Sequence, residues 1–345
     1  VWGVVMKRYF FLVTILSLSF SLFCLVPRGM AEGKKVVAIL PFTNLMKDVQ
    51  LDWLCGGVAE TLTTKLGNIQ SLTLVERMRV EDALKEIALG KTGFIDEKTA
   101  VKVGNMIGAK TIVVGAFQKA GDTVRLTARF VDVGTGKISN TAEATDKMKN
   151  IFELQDKIAH RIIETLRVEV APEEQKKMEE KPTNSLVAYE QYSKGIDSLN
   201  QGDYNEAKKM LAQAVKEDSN FGLAKKTLEY VEWARPNLHS SLYLRRINKP
   251  YNYVFAAMSD ALRHTEGTKI TKQDISTGTI SARQKMSWLT TGLDINIEIK
   301  DLGNLSGIRI FTQTKKTIFG IRQQVDYGES KKAIRRIIKD FEKQL

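Results

Sequence analysis

Between Val36 and Leu166 strand-like and helix-like segments alternate, and that alternation confines the chain to an α/β layer fold. Val36–Leu40 is a near-continuous apolar run, the pattern of a strand covered on both faces. Leu54, Val58, Leu62 and Leu66 then recur at helical spacing and stop at Gly67. Ser71–Val75 reads as a second strand, and Val80, Leu84 and Ile87 mark a second helix ending near Gly90. A third helix over Glu97–Ile107 is closed by Gly108. Thr111–Phe117 and Val124–Asp132 read as strands turned by Ala120-Gly121-Asp122, with Val124, Leu126, Ala128 and Phe130 on one face. Gly134-Thr135-Gly136 leads into a further strand through Ile138, and Phe152–Leu166 closes the unit as an amphipathic helix. A hairpin at the end of a strand–helix run predicts a mixed sheet.

The 345 residues, 43% of them hydrophobic, suffice for two or three domains. The predicted fold is an α/β N-terminal domain with a mixed sheet over 35–168 and a charged connector over 169–184. A short α-helical tetratricopeptide-like segment over 185–235 and a small α+β C-terminal domain over 237–345 complete it. In the helical segment Ala188, Gly195, Ala207, Leu211 and Ala214 supply the small and apolar positions of two closely packed helices, with Gly202-Asp203-Tyr204 as the turn. Such repeats need about three copies to stand alone, so one and a half must lean on a neighbouring domain or a partner. In the last region Tyr251–Leu262 reads as a helix, and short strands are expected near 269–271, 279–282, 293–299 and 307–312. Ser330–Leu345 reads as a basic amphipathic helix with Ile334, Ile337, Ile338 and Phe341 inward.

The junction Leu40-Pro41-Phe42, the pair Glu76-Arg77, the turn Gly108-Ala109 and the hairpin Arg129–Lys137, in that order, resemble the curli production assembly/transport component family. TolB-like and FlgO-like domains share the resemblance. It implies an envelope assembly module rather than an enzyme. The plainest account of the same residues is a buried strand, a helix start and a tight turn. Curli channels insert long hairpins into this core, and a spanning strand needs ~9–11 alternating residues. Only a short turn joins the strands at 111–117 and 124–132, and 137–150 is polar, so the expectation is the core without its pore-forming part.

Lys7 and Arg8, the uncharged run Tyr9–Val26 and Gly29-Met30-Ala31 predict a secretory signal peptide over 1–31, cut after Ala31. Met6 is the more natural start. An uncleaved anchor and lipidation at Cys24 are the alternatives, the latter opposed by bulky Leu22-Phe23 in front of that cysteine. Removing Lys7, Arg8 and Arg28 would take the formal charge from +12 to +9, which suits anionic envelope partners and, in that compartment, not nucleic acid. Cys55 would remain alone, expected as a buried, inert thiol.

The sequence carries no convergent chemistry. His160, His239 and His264 lie in separate segments without a second ligand at metal spacing. Gly90-Lys91-Thr92 lacks the earlier glycine of a phosphate loop and follows a helix, and Gly134-Thr135-Gly136 is a turn rather than a dinucleotide fingerprint. Carboxylates such as Glu76, Glu81 and Asp82 read as a solvated helix face. The expectation is a non-enzymatic protein without catalytic, cofactor or metal residues. It would be a periplasmic binding or scaffold component, attached to the outer membrane or peptidoglycan, that meets envelope proteins through Tyr192 and Tyr204 of the helical repeat and can self-associate. A ring-forming subunit of a curli-type export complex and an accessory regulator of a cell-wall synthase are the alternatives.

Overall fold

The computed structural model describes residues 35–87, 95–236, 243–284, 293–313 and 327–345. The expected signal peptide with Cys24, the Gly90-Lys91-Thr92 segment and His239 lie outside these residues.

The first sheet has the order β3-β1-β4-β5-β6, from β1 (Lys35–Ile39), β3 (Leu72–Leu74), β4 (Thr111–Ala120), β5 (Thr123–Asp132) and β6 (Ile138–Lys147). β1 runs parallel to β3 and β4, whereas β4, β5 and β6 are antiparallel neighbours, so the sheet is mixed. A two-residue strand, β2 (Thr43–Asn44), continues along β4 beyond β1. Pro41 separates the two because it has no N–H to donate to the ladder. Phe42 then folds over Gly115 of β4, where a Cβ would lie 2.3 Å from the ring. Gly121-Asp122 joins β4 to β5, a tighter turn than the sequence suggests.

Side-chain alternation divides β1 and β4 between two cores. Val37, Ile39, Val113 and Phe117 face α1 (Trp53–Leu66) and α4 (Ile151–Leu166). Ala38, Leu40, Ile112 and Val114 face α2 (Arg77–Glu86) and α3 (Glu97–Ile107). Gly108, at φ 73°, closes α3 in the left-handed conformation a glycine C-cap supplies.

The stretch anticipated as a connector holds α5 (Pro172–Glu179), which is strapped down. Lys65 Nζ, buried, donates to Met178 O at 2.6 Å and Glu180 O at 3.0 Å, and lies 2.7 Å from Asp156 Oδ1. The helical segment forms α6 (Leu186–Gln201), α7 (Tyr204–Glu217) and α8 (Gly222–Ala234). Gly202 at φ 84° makes the α6–α7 turn, and Gly195 lets Leu211 approach. These helices lean on the first sheet: Tyr189, Tyr192, Leu211, Phe221 and Tyr230 share one core with Val37, Val58 and Phe152.

The last region is an antiparallel sheet, β7-β11-β10-β9-β8, from β7 (Tyr243–Ile247), β8 (Thr268–Asp274), β9 (Thr279–Gln284), β10 (Leu293–Asp301) and β11 (Ser306–Gln313). Ile295, Ile297 and Ile299 of β10 turn one face toward α9 (Tyr251–His264) and α10 (Tyr327–Gln344), closing a second core with Met258, Ile337 and Phe341. Leu244, Leu302 and Leu305 instead join the first core, so Lys35–Leu345 is one compact unit across the expected boundaries.

Candidate functional site

The three sequence regions meet at an interior cluster of charges. Its room is made by Gly56 and Gly57, near the N-terminal end of α1. A glycine there costs about 1 kcal/mol relative to alanine, and both positions are needed empty. A Cβ on Gly56 would lie 2.3 Å from both Arg77 Nη2 and Asp197 Oδ1, and one on Gly57 would lie 2.4 Å from Ser193 Oγ. Helix α6 therefore sits directly on α1, with Tyr189 as its anchor. The Tyr189 hydroxyl shares a 2.9 Å hydrogen bond with Thr61 Oγ1 and accepts one of 2.9 Å from Gln155 Nε2. Its ring meets Trp53 and Phe152 edge-on at 5.7 and 4.9 Å.

One turn from Gly56 on α1, Glu60 is 5% exposed and stands between two arginines. Arg246 of β7 donates from Nη2 to Glu60 Oε1 at 2.8 Å and from Nη1 to Thr227 Oγ1 of α8 at 3.3 Å. Arg77, the first residue of α2, donates from Nη1 to Gly56 O at 2.6 Å and from Nη2 to Asp197 Oδ1 of α6 at 3.0 Å. It also lies 3.4 Å from Glu81 and 4.0 Å from Glu60 Oε2. Burial alone would raise the Glu60 carboxyl, but Arg246 and Arg77 outweigh it and hold the group below the usual carboxylate range. Burial pushes Asp197 up to about 6 against the pull of Arg77.

Glu76, at the N-cap of α2, is no solvated carboxylate. Its side chain keeps some exposure, but neighbouring atoms enclose the carboxyl. Burial and then Glu60 push that carboxyl up to about 7, while Oε1 accepts a 3.2 Å hydrogen bond from Asn248 N just beyond β7. The pair Glu76-Arg77 thus binds β7 and α6 to the first sheet, a role its place at a helix start does not announce. Above the cluster a cleft of about 510 Å³ opens between α2, β7 and α10.

Of the two tyrosines singled out in the sequence, Tyr192 is buried and Tyr204 is half-buried. Tyr192 is 1% exposed and packs 5.0 Å from the Phe221 ring. Its hydroxyl, beside Glu60 and Arg246, has no well-formed hydrogen bond. Tyr204 is partly buried with its hydroxyl toward Tyr230. Tyr189, one turn before Tyr192 and aimed at Gly57, carries the helix-to-sheet contact instead. The adjacent glycines in an apolar helix were the available signal for that approach. Burial pushes the Cys55 thiol up to about 12, with Asp52 and Asp197 adding to the shift, so at neutral pH it is not a thiolate nucleophile. Among the described residues no group of three or more His, Cys, Asp or Glu is placed to hold a metal. No described helix is long and apolar enough to cross a membrane.

A sequence model of the family described as "Curli production assembly/transport component CsgG" matches residues 20–118, which reach from before β1 to within β4. A curated relative, "Putative adenylate cyclase 3" of Rhizobium meliloti (strain 1021), is 26% identical over 209 residues, 59% of this chain and 34% of that protein. The chain thus spans about a third of that relative's length. Among solved structures, the LpoB C-terminal domain from Escherichia coli is 18% identical and covers 36% of this chain and 90% of its own, with a TM-score of 0.29. Lipoprotein GNA1162 from Neisseria meningitidis is 17% identical and covers 38% of this chain and 98% of its own, with a TM-score of 0.30.

Proposed function

We propose that this protein is a non-enzymatic binding or scaffold component of the bacterial cell envelope, held in the periplasm at the outer membrane. The observation that carries the reading is the curli-family match over residues 20–118. The interior supports it, because the buried charges of α1, α2, α6 and β7 are engaged with one another and leave no nucleophile–base pair among them. Such a cluster fixes the relative placement of three regions, which suits a component that presents surfaces to partners.

Envelope fractionation of expressing cells, with sedimentation of the released species, tests this. Recovery with periplasmic or outer-membrane markers, at a mass of one or a few chains, is the expected outcome. Recovery with cytosolic markers overturns it, and a ring-sized oligomer released only by detergent replaces it with a curli-type export subunit. A cyclase assay on the same preparation is expected to stay at background.

A further inference from the structure

The cleft between α2, β7 and α10 holds an unbalanced row of charge. Three of its cations are matched by carboxylates: Arg79 by Glu342 at 3.5 Å, Arg245 by Asp82 at 3.2 Å, and Arg246 by Glu60 at 2.8 Å. The other three, Lys331, Arg335 and Lys339, line the cleft from α10 and are exposed; none has a carboxylate within ion-pair distance among the described residues, Asp340 acting on Lys339 only from further off. Their spacing of four puts them on one helical stripe, with roughly 6 Å of axial rise between neighbours. Alternate residues of an extended peptide are separated by about 6.6 Å, so acidic side chains on one face of a strand nearly keep step with this row. Tyr243, Ile338 and Leu345 offer apolar contact in the same cleft. A compact phosphate or lipid headgroup seated inside would meet the carboxylates of Glu76, Asp82 and Glu342, whereas an extended ligand can run along the α10 rim.

We propose that this cleft binds an extended acidic segment of a partner protein, its carboxylates alternating with apolar residues and pairing with Lys331, Arg335 and Lys339. The proposal rests on the binding-component reading for the nature of the partner. Its test is made in solution, so failure here leaves the fractionation result standing, and the reverse.

The probe is a fluorescein-labelled decapeptide of alternating glutamate and valine, titrated with the full chain and followed by anisotropy. Saturable binding is expected, weakened tenfold or more in K331E/R335E/K339E and changed less than twofold in K332E/R336E, which reverses exposed α10 charges outside the cleft. Should the triple variant lose its fold, the single R335Q is expected to weaken binding about threefold. Absence of saturable binding, or equal affinity in the cleft variants and wild type, overturns the proposal. Phosphatidylglycerol vesicles or polyphosphate binding through the same three residues while the peptide does not would assign the row to phosphate chemistry and overturn it equally.

Discussion

Replacing Arg246 by alanine leaves the Glu60 carboxylate buried with only Arg77, 4.0 Å away, to offset it. Breaking a buried pair from one side costs about 3–5 kcal/mol, because the surviving charge stays desolvated. Arg246→Ala is therefore expected to lower the unfolding free energy by about that much in urea titrations. A loss below about 1 kcal/mol would mean that water or another residue takes over the pairing. Glu76 gives a second residue-scale outcome. Between its ordinary value of 4.5 and about 7 the folded protein keeps a proton that the unfolded chain releases, so this group makes stability fall as pH rises through that window. Asp197, raised from 3.8 to about 6, acts in the same direction at lower pH. At 1.36 kcal/mol per pKa unit the Glu76 contribution is up to about 3 kcal/mol. Glu76→Gln should remove that share of the decline between pH 4.5 and about 7, and parallel stability curves for the two proteins would refute the assignment.

At the scale of elements, the α6–α7 contact tests how closely the helical segment is packed. A Cβ on Gly195 would lie 2.8 Å from Leu211 Cγ. Gly195→Ala gains about 1 kcal/mol of helix propensity against an overpacking cost of about 1–3 kcal/mol, so the unfolding free energy from denaturant titration is expected to fall by up to about 2 kcal/mol. A more stable variant would show that Leu211 can retreat. Most elements were legible in the sequence, because their apolar residues keep a single period from end to end. The strands through Val36–Leu40 and Ile295–Ile299 and the helices closed by Gly67 and Gly108 stand where that periodicity puts them. Strand β7 was not legible. Adjacent Arg245 and Arg246 break the apolar–polar alternation over five residues, since one arginine faces α2 and the other is drawn inward by Glu60. With β7 hidden, the partner of Glu60 was hidden too. The charge cluster left only the Glu76-Arg77 pair and the two glycines as traces in the sequence.

For the whole molecule, the shared core and the charge cluster imply that the first sheet and the last one support each other. A chain ending at residue 236 loses Leu244, Leu302 and Leu305 from the first core and Arg246 from the cluster. It is expected to unfold at a lower denaturant concentration than the full chain and to bind a hydrophobic dye that the full chain does not. An unchanged midpoint would show the two sheets to be energetically independent. The contact between Glu60 and Arg246 spans 186 residues. The entropy of closing so long a loop grows only with the logarithm of its length, so distance adds little cost, but it does impose an order in time. A chain growing from its amino end makes Glu60, then Arg77, and leaves that acid half matched until residue 246 emerges. The sequence of synthesis is also the sequence of electrostatic closure, and any machinery that handles the unfinished chain meets it with its central acid still short of one arginine.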